Sequence, residues 1–118
     1  MLIAADIVIA IIALLHIYFL VLEMFLWDKP AGLRAFGQTM EQATASRVLA
    51  ANQGLYNGFL AAGLIWGLVL GQGGFGVKMF FLSCVLVAGL FGGLTASRKI
   101  LLVQAMPAAL GIILLYIS

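Results

Sequence analysis

Four runs of apolar residues dominate this chain, and each is long enough to cross a lipid bilayer as an α-helix. Spanning the hydrocarbon core takes about 20 such residues. The runs extend from about Leu2 to Trp27, from a start between Met40 and Ala45 to near Gly71, from about Val77 to Leu94, and from about Ile100 to Ile117. They are too long for strands and show no alternation. The sequence therefore predicts an all-α fold, a four-transmembrane-helix bundle that forms a single integral membrane domain over residues 1–118. Composition agrees. Only 8% of residues are charged, against roughly 25% in a soluble domain. Most of the surface then has to face lipid, which makes the bilayer the first expected partner. The first run has no Lys or Arg before it and no small-residue cleavage site after it, so it reads as a retained helix.

The connections carry their own signals. Between the first two spans, Asp28 and Pro30 stop one helix and start another. Leu33, Phe36 and Met40 follow at i, i+3 and i+7, the spacing of a short interfacial helix. Thr39 and Gln42 match a capping box that would open the second span. Gly71–Gly76 is a glycine-rich turn, and Thr95–Lys99 is a second short turn in which Ser97 is a candidate cap. Orientation follows from the basic residues. Lys29, Arg34, Arg47, Arg98 and Lys99 fall on the side of the first and third loops, and Lys78 falls on the other. That asymmetry places the first and third loops in the cytoplasm, and both termini outside it, for a chain in a cell inner membrane.

Several function classes are disfavoured. The net charge is +2 and the basic residues form no run, so nucleic acid is not an expected partner. Cys84 is the only cysteine, which rules out an internal disulfide and a thiolate cage. With one His beside it, no metal site is expected within one chain. The glycine turn lacks the Lys-Ser/Thr of a phosphate loop. No pattern names a cofactor.

The polar residues inside the spans are more informative. Asn52, Gln53, Tyr56 and Asn57 lie within six positions of the second span. At about 100° per residue they occupy one face roughly 140° wide. Amides without partners in hydrocarbon cost several kcal/mol each, of order 2–7, so this face is expected to look into protein or water. In the first span, His16, Glu23 and Trp27 share a stripe. An ionisable group inside a span is a functional hypothesis by default. The simpler roles are also physical ones: Glu23 reaching the interface beside Arg47, His16 satisfied by a neighbouring helix, Trp27 as an interface anchor, and the amides as helix glue. Gln104 and Pro107 in the fourth span, with Thr95, fall at a depth similar to Glu23, Asn52 and Gln53. Glycines repeat at four-residue spacing in Gly54/Gly58, Gly63/Gly67/Gly71 and Gly89/Gly93. Such spacing lets helices approach closely and offers faces to a neighbouring helix or to a second subunit, a homo-oligomer.

These residues resemble a family of small, mostly bacterial integral membrane proteins, the domain-of-unknown-function family thirteen-zero-four. The matching parts are His16, Glu23-Met-Phe-Leu-Trp27, the run from Asn52 to Ala61, Gly93 with Thr95, and Val103-Gln104 with Pro107-Ala108. The resemblance implies a four-helix membrane protein and brings no activity with it. The second span is also similar to a helix of the membrane-associated eicosanoid and glutathione metabolism family, with Asn57 where those enzymes carry an acid. Small multidrug resistance transporters resemble the chain in length and in a first-helix glutamate, although Glu23 lies nearer the helix end.

The expected function is a cytoplasm-facing polar pocket that binds or transforms a small, partly apolar molecule. Glu23 and His16 would be the acid, base or charge partners. Asn52, Gln53, Tyr56, Asn57, Gln104 and Trp27 would orient the ligand. Two alternatives stay open: proton-coupled transport of a small molecule or cation through Glu23, and a structural membrane partner with no ligand.

Overall fold

A computed structural model describes residues 2–118, and every regular element among them is helical. α1 runs Leu2–Met24, α2 Pro30–Phe36, α3 Met40–Val69, α4 Phe75–Thr95 and α5 Met106–Tyr116. A 3₁₀ turn, Gly71–Gly74, precedes α4, and a π-helical turn, Leu101–Ala105, leads into α5. The expected short helix is thus α2, and each predicted long run is mainly helical. Among the described residues, two helices are long and apolar enough to cross a membrane, Ile3–Met24 and Gly71–Thr95, with mean hydropathy 2.6 and 2.0. The apolar helical stretch Leu101–Tyr116 is shorter.

The helix ends follow local chemistry. Pro30 sits in the first turn of α2, where its missing N–H costs nothing. Gly37 closes the same helix at φ 59°, and its N–H returns to the Leu33 carbonyl. The capping box before α3 is closed in both directions: the Thr39 N–H donates to Gln42 Oε1 at 3.0 Å, and the Gln42 N–H donates to Thr39 Oγ1 at 3.1 Å. Pro107 explains the π turn. A proline has no N–H to give and its ring crowds the carbonyl four residues back. The chain widens by one residue there, and the Met106 N–H reaches the Leu101 carbonyl. The fourth run is therefore a π turn followed by a short α-helix where one continuous span was expected.

The chain divides into two compact units, one of Met1–Leu14 with Leu60–Ser118, the other of Leu15–Phe59. The first has a core of Ala5, Ile9, Ile12 and Ala13 from α1, Leu64 from α3, Leu82 and Val85 from α4, and Ala108 and Leu115 from α5. Its glycines set the spacing. A Cβ on Gly89 would stand 2.6 Å from the Ala105 nitrogen, so α4 and the π turn touch backbone to backbone. Gly63 faces the Phe81 ring, and Gly67 faces the stem of Lys78. The second unit holds the end of α1, α2 and the first two-thirds of α3. Gly32 seats α2 there, since a Cβ would collide with the Leu26 carbonyl.

Candidate functional site

In the second unit, α1 and α3 approach through small residues. A Cβ on Gly54 would lie 2.6 Å from Met24 Cγ and 3.1 Å from Glu23 Cβ, and one on Gly58 would lie 2.7 Å from Leu20 Cδ1. These two glycines bring the last turn of α1 against α3. Asn57, one turn beyond Gly54, then reaches the carboxylate: its Nδ2 donates to Glu23 Oε1 at 2.5 Å. Both side chains are half-buried. The Gly54/Gly58 face is filled by α1 of the same chain.

The other expected residues separate from this pair. Asn52, Gln53 and Tyr56 are exposed, the last with its ring tilted 49° to that of Phe59 at 6.1 Å. Glu23 therefore meets Asn57, and not Asn52 or Gln53. The reason is the width of the polar face. The four residues span roughly 140° of helix surface, and the glycines turn only the Asn57 edge toward α1. His16 is fully buried and stands edge-on to Phe19 at 5.6 Å. Trp27 Nε1 donates to Ser46 Oγ at 3.1 Å, while its ring packs on Phe36 at 4.8 Å, which joins the α1–α2 connection to α3. Arg47 does not serve Glu23. It lies 3.6 Å from Asp28 with its side chain 70% exposed, a geometry worth about 0–1 kcal/mol.

Gln104 belongs to the first unit, half-buried in the π turn beside Gly89. Thr95 bonds its own helix through the Phe91 carbonyl at 2.7 Å. Among the described residues, no group of three His, Cys, Asp or Glu side chains gathers as a metal site would require.

The sequence reading missed one constellation. The sequence places Lys78 at the start of the third span and counts it only for orientation; in the structure it lies in the first turn of α4, which begins at Phe75. Its side chain is 1% exposed, and its ammonium donates to Asp6 Oδ1 at 2.9 Å and to the Gly71 carbonyl at 3.3 Å. The available signal was that Asp6 and Lys78 are isolated charges in apolar runs, each costly to leave alone.

What the arrangement offers chemically is a carboxylate held by one amide in apolar surroundings. A carboxylate accepts about four hydrogen bonds, and Asn57 supplies one.

Comparison with known proteins gives relatives and no activity. Over 105 residues the chain is 31% identical to an uncharacterised protein, YpaA, of Lactococcus lactis subsp. lactis (strain IL1403), covering 87% of this chain and 88% of that one. No solved structure matches. A family model described as a protein of unknown function, DUF1304, matches residues 10–116. That match takes in the whole Glu23–Asn57 region, and the chain belongs to the DUF1304 family.

Proposed function

We propose that this is a multi-pass inner-membrane protein of four spans in one integral domain, in which Glu23 and Asn57 form the centre of a cytoplasm-facing site for a small, partly apolar molecule. The observation that carries the reading is the Asn57–Glu23 hydrogen bond in apolar helices. Glu23 is the charge or proton partner of the ligand, and Asn57 fixes the carboxylate. Asn52, Gln53 and Tyr56, exposed on the same helix, supply further hydrogen bonds. Trp27 closes the interfacial end.

The membrane part of the reading is supported by where the apolar side chains point. Ile3, Ile7, Ile11 and Leu14 form one exposed stripe along α1, and Phe80, Val87, Phe91 and Leu94 are exposed on α4. Water penalises such stripes, whereas lipid accepts them. Orientation is supported by the fate of Lys78. It is buried and ion-paired, which leaves Lys29, Arg34, Arg47, Arg98 and Lys99 as the basic set that orients the chain.

Proton-coupled transport is the second reading. It is favoured by the two carboxylates of α1, Asp6 near its start and Glu23 near its end, each engaged by a polar side chain.

Mass spectrometry of organic extracts of the purified chain tests the binding reading. A small molecule should co-purify with wild type and be lost from Glu23→Gln at unchanged yield and melting temperature. Extracts free of any such molecule, or equally rich in both proteins, would contradict it. Substrate-driven proton uptake into liposomes, abolished by Glu23→Gln, would favour transport.

A further inference from the structure

Lys78 is the one charged side chain among the described residues that is almost wholly buried. The fold makes room for it. Gly67 abuts the lysine stem, with a Cβ there only 2.7 Å from Lys78 Cγ, and Gly74 packs on the Gly67 carbonyl. An ammonium has three protons to donate. Asp6 and the Gly71 carbonyl take two of them, which leaves one.

A cleft of about 260 Å³ opens at this point, lined by Gly71, Gln72, Phe75, Lys78, Leu115 and Ser118. Its lining combines two apolar surfaces, Phe75 and Leu115, with the Gln72 amide and the Ser118 hydroxyl. Lys78 has the only charged side chain among the described residues of the lining, and the first turn of α4, which Phe75 opens, adds the positive end of a helix dipole. Asp6 is not part of the lining; it holds the ammonium from outside the cleft. Burying the lysine of an ion pair whose carboxylate stays 39% exposed is costly, so a lysine seated at such cost beside a cleft calls for a ligand.

We propose that this cleft binds a small amphiphilic anion, a phosphate or carboxylate on an apolar tail, whose charged group takes the remaining donor of Lys78 and whose tail lies against Phe75 and Leu115. Asp6 tunes the site by competing for the same ammonium. All of these residues lie in the first compact unit, so the proposal stands apart from the reading of Glu23.

The test is calorimetric titration of the purified full chain, in an uncharged detergent, with octyl phosphate, octanol and inorganic phosphate. Octyl phosphate should bind saturably, and octanol and inorganic phosphate should each bind roughly tenfold more weakly or less. Gln72→Glu places a carboxylate in the lining at an exposed position and should weaken octyl phosphate roughly tenfold. Asp6→Asn releases the ammonium and should tighten it. Glu23→Gln should leave it unchanged, which separates this site from the Glu23 centre. Lys78→Met should abolish binding; if that variant does not fold, Gln72→Glu and Asp6→Asn decide. Octanol binding as tightly would mean an apolar cleft only. Inorganic phosphate binding as tightly would remove the tail from the assignment. Either result, indifference to Gln72→Glu, or no binding at all overturns the proposal.

Discussion

Asn57 Nδ2 donates to Glu23 Oε1 at 2.5 Å, and this bond ties the last turn of α1 to α3. It exists because Gly54 and Gly58 carry no side chains on the facing edge of α3. Asn57→Ala removes the donor and should cost about 0.6–2 kcal/mol in unfolding free energy, the range for polar contacts between membrane helices. Steric-trap or denaturant unfolding in mixed micelles reads it. In a double-mutant cycle with Glu23→Ala, which removes the acceptor, the two losses should be less than additive; additive losses would mean that the side chains do not interact.

Close approach in the first unit makes a sharper steric prediction. Gly89→Ala would set a Cβ 2.6 Å from the Ala105 nitrogen and 2.9 Å from its Cα. Backbone cannot swing away as a side chain does, so the variant should lose about 1–3 kcal/mol. Gly67→Leu should be destabilised as well, since it drives into Lys78 Cγ. Gly73→Ala is the control: nothing lies within 4 Å of the added carbon. Equal melting temperatures for Gly89→Ala and Gly73→Ala would refute the packing described.

Much of the fold was legible because its signals are local. Run length gave the long helices, Leu33 and Phe36 marked α2 although Met40 of the same spacing opens α3, and Thr39-x-x-Gln42 gave the capping box. The π turn was less accessible: Pro107 marked a disturbance, but the widening by one residue depends on backbone geometry. For the site, polarity marked a face wider than the packed edge of α3, and only Asn57 of its four residues meets α1. Asn52, Gln53 and Tyr56 are exposed, while the buried edge follows Ala43, Ala50, Gly54 and Ala61, with Asn57 beside it. That small-residue stripe was present in the sequence, and it marks close approach more directly than polarity does. Asp6–Lys78 went unseen because its members lie 72 positions apart, and pairing at that separation is set by the fold.

Trp27 makes a prediction that distinguishes its two contacts. Trp27→Phe keeps an aromatic ring against Phe36 but loses the bond to Ser46 Oγ. The loss should be about 0.5–1.5 kcal/mol, and Ser46→Ala should reproduce it. Thermal unfolding followed by far-UV circular dichroism measures both. A much larger loss in Trp27→Phe than in Ser46→Ala would place the weight on the ring.

Topology is checked by accessibility. Single cysteines at Ala35 and Gly73, in a Cys84→Ser background, occupy exposed positions in α2 and in the 3₁₀ turn. With a span between them, an impermeant maleimide added to intact cells should label Gly73→Cys and reach Ala35→Cys only after lysis. Labelling of both without lysis would contradict four spans.

The most direct measurement is a density map of the purified, unliganded chain in lipid nanodiscs at side-chain resolution. The account predicts the Glu23 carboxylate bonded to Asn57, with additional density for a small molecule within hydrogen-bonding distance of it. A carboxylate pointing into the acyl chains, away from every polar residue of α3, would contradict the central claim.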